Sequence, residues 1–543
     1  MSRLRSVVAR ANRKLTVQWA AALLASATLL SSLVGLYRDR LLNGMYFDTA
    51  PTALDAYTAA FTIPDFMFFI LVSGALSVTF IPVFVQRLST GNRRSAWELS
   101  SSMINFMALL TIVASVLIMI FASPLVDYIV APGKSEAARA LATSMMRVIA
   151  INPFLFAIAT VITSMQQAVG RYVFYALAPT IYNIGIIIGA LYFTQGITIF
   201  GWQVFQGGIM GVALGVVLGS LMQLIVSGIG LLGLGFDYQF KISWHNKGFR
   251  KTLRLLPARS LDQGMDYLIG IVEMNLASRL GAGVMRSYQQ VTALHMMPIN
   301  LVGVAISTAA FPSMSEQLDS GKTQVFRKQL QQVIRVIIWL ALPIATVTYF
   351  ARGYVVSFIK PGGDELMAKL LAALVLAMLF RTIYHIAARS FYAQQDTKTP
   401  FYISLFAISL NIALAIWFTM SLKTGAVGLA YAQSIVAAIE VVILLYVINR
   451  RLPNGLFDRA MVHGIGNMIS ATGFTAVVTY SMVRLLQLQS VDYSLASTIP
   501  KFTIISVVSF VFYLAICRLM KLEETYPVID RINRVLFGGV KND

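Results

Sequence analysis

The sequence predicts an all-α polytopic membrane protein of about 14 transmembrane helices, built as two parallel-repeat six-helix lobes followed by two further C-terminal helices. Three observations predict it. Hydrophobic residues make up 57% of the 543-residue chain and charged residues only 12%, against about 25% charged in a soluble domain; mean hydropathy is +0.72. Fourteen apolar runs are about as long as the roughly 20 residues that cross a bilayer. The polar turns between them carry lysine and arginine mainly on alternate sides, the pattern that fixes orientation.

The elements follow in order. Span 1 (17–36) comes after Arg3, Arg5, Arg10, Arg13 and Lys14; its apolar run is too long for a signal peptide and lacks a small-residue cleavage site, so it reads as an uncleaved helix. Span 2 (54–85) holds Pro64 and Pro82, and the basic turn Arg87, Arg93, Arg94 precedes span 3 (97–121). Span 4 (139–168) contains Arg147, and span 5 (172–194) contains Asn183. Span 6 (207–233) opens on Gly207 and leads into the basic turn Lys241, Lys247, Arg250, Lys251, Arg254. Spans 7 (256–280) and 8 (287–314) carry the densest charge and Pro298 and Pro312, and Pro343 lies in span 9 (329–350). Spans 10 (366–390), 11 (400–420), 12 (426–448), 13 (460–483) and 14 (500–519) complete the set. With a cytoplasmic N-terminus, the larger share of the 43 basic residues falls in cytoplasmic turns, and both termini lie inside.

The chain repeats itself. GALSVTFIPVFVQRLSTG around Pro82 matches GVAISTAAFPSMSEQLDSG around Pro312 at an offset of 230; Asn183-Ile184 recurs as Asn411-Ile412, and GGIMGVA from Gly207 recurs as TGAVGLA from Thr424. Three matches in order divide the chain into lobes 1–235 and 236–455, with 456–543 carrying the last two spans and a cytoplasmic tail. A parallel repeat of this kind is a known transporter plan with its site between the halves.

Ionisable residues inside spans are costly and mark cavities or partners. In span 7, Arg259, Asp262, Asp266 and Glu273 fall within about 60° of one another at about 100° per residue, so this stripe lines a cavity or meets cations from other helices. Arg147, Arg38 and Arg286 are the candidate partners; a salt-bridge lock between the halves is the structural alternative. Span 10 places Arg381, His385 and Arg389 on one face, with Arg389 expected to reach for headgroups. His385 is a candidate proton carrier or a packing histidine.

The formal charge of +20 is scattered through short turns, which fits anionic lipid headgroups and excludes a nucleic-acid-binding domain. The single cysteine, Cys517, allows no internal disulfide and reads as packing. His245, His295 and His463 have no metal-ligand spacing. Walker, HExxH and nucleophile-elbow motifs are absent, so the chain is read as neither enzyme nor metalloprotein, with no cofactor; transport would draw on a Na+ or H+ gradient, the membrane potential or substrate flux.

These residues resemble the MurJ (MviN) lipid II flippase family of the multidrug/oligosaccharidyl-lipid/polysaccharide exporter superfamily. SFYAQQDTKTP (390–400) is close to that family's FYA-x-x-D-T-x-T-P signature, and ALAPTIYNIGI, GLYRD, DAYTAAFTIP and the two proline segments support it. The resemblance implies two six-helix lobes around a cationic cavity in the bacterial plasma membrane and a groove at the last two helices for a polyprenyl tail. It implies a cargo, lipid II, flipped to the outer leaflet for peptidoglycan synthesis and cell shape by alternating access, with membrane lipids and cell-wall synthesis proteins as partners. Arg38 and Asp39 match the family's span 1 pair and Asp55 its acidic residue at the start of span 2; a cation site between spans 7, 11 and 12 would here use Asp262 or Asp266 with Asn411.

The chain departs from that pattern. Ser32, Phe68, Phe69 and Ala293 stand where the family has arginines, and Ser73 and Met296 replace acidic residues. A dianionic diphosphate in a desolvated cavity still needs cations, so the expected lining is relocated to Arg147, Arg259 and Arg286. The competing readings are a related exporter of another polyprenyl-linked oligosaccharide or drug, and a membrane scaffold without transport.

Overall fold

A computed structural model describes residues 17–199, 202–489 and 492–536, with the side chains of 17, 18, 21, 73–79, 197, 199, 202–204, 255–266 and 532–536 outside the described set. The described chain is helical apart from one short antiparallel hairpin, Ile197–Ile199 with Trp202–Phe205, between spans 5 and 6. Twelve described helices are long and apolar enough to cross a membrane. Long helices also occupy the remaining two predicted spans, Val17–Tyr46 and Lys247–Ser278, and among the described residues of the second Tyr267–Ser278 is a shorter apolar stretch. Capping residues explain where several helices begin. Asn92, Ser135, Asp364, Asp458 and Ser494 each accept a hydrogen bond from a backbone N–H of the first turn, satisfying donors that the helix leaves open.

The repeat detected in the sequence recurs in the backbone. Span 2 runs Pro51–Phe68, a π turn Phe69–Ser73, then Gly74–Ser89; span 8 runs Val284–Pro298, a π turn Ile299–Val304, then Ala305–Asp319. Each π turn lies between two prolines, which remove backbone donors and let the hydrogen-bond register slip. Both helices end at glycines of positive φ, Gly91 at 76° and Gly321 at 70°, a conformation that side chains with a Cβ resist.

By contacts the chain divides into two compact units at Arg286/Ser287. Span 7 therefore packs with the first unit, against the helices and π turn of span 2. Within the first unit, Val173–Tyr192 and Met210–Ile229 meet backbone to backbone. A Cβ on Gly185 would lie 2.2 Å from the Cα of Gly219, the small-residue packing that draws membrane helices together. Within the second unit, Phe326, Leu330, Ile334, Ile386, Phe391, Leu444 and Ile448 fill one core. The last two spans dock through Trp339, Met468, Tyr513 and the buried Cys517, and the Tyr513 hydroxyl donates to the Trp339 carbonyl at 3.1 Å.

Candidate functional site

The first unit gathers charge at one end of spans 1, 2 and 4. Arg38, near the end of Val17–Tyr46, forks onto its neighbour Asp39 at 3.0 and 3.1 Å and donates to Asn183 of span 5 at 2.7 Å. Arg286 reaches the same carboxylate at 3.1 Å and Asn43 at 3.2 Å. Two arginines thus share one aspartate. Arg286 is only 4% exposed, and its guanidinium lies 5.9 Å from the ring centre of Tyr57, a cation–π approach.

Asp55 completes the cluster from the first turns of span 2. Fully buried, its carboxylate accepts the backbone N–H groups of Gly283 at 2.7 Å and Arg286 at 3.0 Å and the ammonium of Lys134 at 2.6 Å. The Lys134 ammonium also donates to the Gly281 carbonyl. A buried carboxylate needs this saturation by donors. Arg38, Lys134 and Arg286 against Asp39 and Asp55 leave the cluster with a surplus positive charge, suited to an anion.

Of the residues singled out in the sequence, the structure brings together Arg38, Asp39, Asp55 and Arg286. Arg147 stands apart: it donates to the Met119 carbonyl at 3.2 Å and lines a separate cleft of about 530 Å³ with Asp127, Glu136 and Arg139. Glu273 is buried on Lys247–Ser278, while the side chains of Arg259, Asp262 and Asp266 lie outside the described residues, as does any pairing of those aspartates with the buried Asn411. Among the described residues no group of His, Cys, Asp and Glu could hold a metal ion. Lys134, Asn43 and Asn183 are site residues that the sequence reading missed. Lys134 had a signal, a lysine directly before the Ser135 cap of span 4, but nothing local shows that it turns inward.

Aromatic rings stand at two of the four positions where arginines were expected, Phe68 and Phe69. Phe69 stacks on Tyr267 of span 7 at 4.2 Å, and Phe68 meets Phe69 at 5.4 Å and Phe156 at 5.5 Å, which in turn meets Tyr182 at 5.2 Å. The Ser32 hydroxyl turns back onto the Thr28 carbonyl at 2.9 Å. Ala293 and Met296 are exposed.

In the second unit, Arg381 of span 10 pairs with Glu440 of span 12 at 3.4 Å. Arg389, expected to reach for headgroups, donates instead to the Val304 carbonyl at 3.2 Å and to the Thr308 hydroxyl at 2.5 Å. The DTKTP segment is a cap. Asp396 accepts the N–H groups of Lys398 and Thr399 at 3.0 Å, the Thr399 hydroxyl at 2.6 Å and Arg451 at 2.6 Å. The Thr399 hydroxyl and N–H first, then Arg451, hold the Asp396 carboxyl well below the usual carboxylate range.

A family model described as "Lipid II flippase MurJ" matches residues 46–510. A probable lipid II flippase MurJ of Synechocystis is 26% identical over 542 residues, 94% of this chain and 96% of its own. Its counterpart in Thermotoga maritima is 25% identical over 418 residues, 75% of this chain and 80% of its own. Among solved structures, a lipid II flippase MurJ in an inward closed conformation superposes with TM-score 0.72 at 22% identity, over 92% of this chain and 99% of that one. An inward-facing MATE family transporter of the MOP superfamily gives TM-score 0.63 at 14% identity, over 78% and 97%. The two structural likenesses establish the fold.

Proposed function

The chain belongs to the lipid II flippase MurJ family, and from that premise we propose that it translocates lipid II from the inner to the outer leaflet of the plasma membrane by alternating access. The observation that carries this reading to the residues is the cluster in which Arg38 and Arg286 share Asp39 beside Asp55. A preformed cationic cluster with surplus charge can exchange its internal carboxylate for a diphosphate without moving a naked charge through a low-dielectric region. The protein is a multi-pass membrane protein; the inner membrane, cytoplasmic termini and cell-wall synthesis partners belong to the proposal, as do coupling to Na+, H+ or membrane potential and the absence of catalysis.

Purified protein in vesicles loaded with lipid II tests it directly. The expected result is cargo appearing in the outer leaflet at a rate that Arg286→Ala and Arg38→Ala reduce. Vesicles in which the folded protein leaves lipid II distribution unchanged would refute the reading. The aromatic ladder at Phe68 and Phe69 supports one alternative, a less anionic polyprenyl-linked cargo, which would then move in the same assay.

A further inference from the structure

Arg381 stands near the middle of Glu365–Ala393 and Glu440 near the middle of Ala426–Arg451, so their ion pair lies half-way along two spans. Among the described residues of the second unit's candidate spans, Glu440 is the one carboxylate away from a helix end. Its side chain is 2% exposed and that of Arg381 30%. The Ser404 hydroxyl of span 11 donates to Glu440 Oε1 at 2.8 Å, and the half-buried Tyr384 hydroxyl shares a hydrogen bond with Ser404 at 3.1 Å. A line of exchangeable protons therefore runs Tyr384, Ser404, Glu440.

The fold does not need charge at this place. In the first unit, the repeat partners of spans 10 and 12 meet through neutral groups, the Ser220 hydroxyl donating to Asn152 at 2.9 Å. A buried ion pair adds little stability over apolar packing, whereas a carboxylate inside a span marks an ion or proton path. The elements packed most closely on Ala426–Arg451 are Glu365–Ala393, Lys398–Ile416 and the π turn Trp417–Ser421. The first brings Glu365, Lys369, Arg381, Tyr384, His385, Arg389 and Tyr392, the second Lys398 and Tyr402, and the π turn no titratable group. Of these, Arg381 pairs with Glu440 at 3.4 Å and Tyr384 connects to it through Ser404, while Arg389 bonds Val304 and Thr308.

We propose that Glu440 is the proton-coupling carboxylate of the transport cycle, with Arg381 as its counter-cation in this conformation and Ser404 and Tyr384 as its proton path. A hydronium ion gives its proton through Tyr384 and Ser404 to Glu440, leaving water and a neutral carboxylic acid. Arg381 then loses its counter-charge and turns its donors to an anionic group. Loss of the proton to water on the other side restores the pair. This rests on the transport reading above and deepens it by naming the ion and its carrier.

Infrared difference spectra of the reconstituted protein between mildly acidic and mildly alkaline pH test the carboxylate without any cargo. The expected result is a protonated-carboxyl carbonyl band that Glu440→Gln removes and Arg381→Gln moves to higher pH, since loss of a neighbouring cation favours the protonated form. A titrating band that survives Glu440→Gln, or one that Arg381→Gln leaves in place, overturns the assignment. In lipid II vesicles, an imposed pH gradient should change the wild-type rate several-fold, and in Glu440→Gln the ratio of rates with and without it should fall to about one. An undiminished ratio in the variant, or wild-type flipping that responds to sodium but not to pH, also overturns it. Wild-type protein that moves no lipid II while the infrared band behaves as expected would sink the cargo reading and leave the carboxylate assignment standing.

Discussion

At the scale of single residues, the site is a set of charges that depend on one another. Lys134 and Asp55, 7% and 0% exposed, meet at 2.6 Å, and removing one member of such a pair strands the other. Asp55→Ala should therefore lower stability by about 3 kcal/mol, while Asp55→Ala combined with Lys134→Met recovers most of that loss. Thermal unfolding of the purified protein reads both, and equal losses in single and double variants would show that the pair does not act as a unit. Arg286→Ala removes a charge-assisted donor and should weaken lipid II binding about tenfold or more, measurable with labelled lipid. Part of this site was legible: Arg38 and Arg286 are charges at span ends, which sequence can flag, and Asp39 and Asp55 came from the family resemblance. Lys134, Asn43 and Asn183 were not, because their roles come from contacts across distant segments, such as the 2.7 Å bond between Arg38 and Asn183.

At the scale of elements, the same sequence features serve different ends in different places. Between the prolines of spans 2 and 8 the structure places π turns, Phe69–Ser73 and Ile299–Val304, a register slip that hydrophobic periodicity does not reveal. The DTKTP segment marks a cap, with Asp396 holding the start of span 11 and Arg451 at the end of span 12. Its depressed carboxyl gives a definite sign. Folding holds Asp396 ionised, so its contribution is complete above the unfolded value of about 3.9 and is lost as pH falls through the lower folded value. The protection of residues 394–399 against hydrogen exchange, taken relative to the intrinsic rate at each pH, should thus be flat from neutral pH to mild acid and fall only in strong acid, whereas Asp396→Ala should lower it at neutral pH by an amount equivalent to about 1 kcal/mol. Between spans 5 and 6, Gly219→Leu forces side-chain atoms into the Tyr182 carbonyl, 2.4 Å from where a Cβ would sit. It should cost about 1–3 kcal/mol, visible as a lower unfolding midpoint.

At the scale of the whole molecule, the all-helical plan and its repeat were readable because bilayer length and charge bias act on every span alike. The grouping of span 7 with the first compact unit was not, since an offset in sequence says nothing about which neighbour a helix packs against. Lipid II is a demanding cargo for a chain with Phe68 and Phe69 at positions where cations were expected. That cargo is tested most directly by depleting the native flippase in a bacterial host that expresses this protein, while following growth and lipid II in the outer leaflet. Restored growth with lipid II reaching that leaflet is the expected result; arrested growth with lipid II held inside, by protein shown to be folded in the membrane, would rule lipid II out as the cargo.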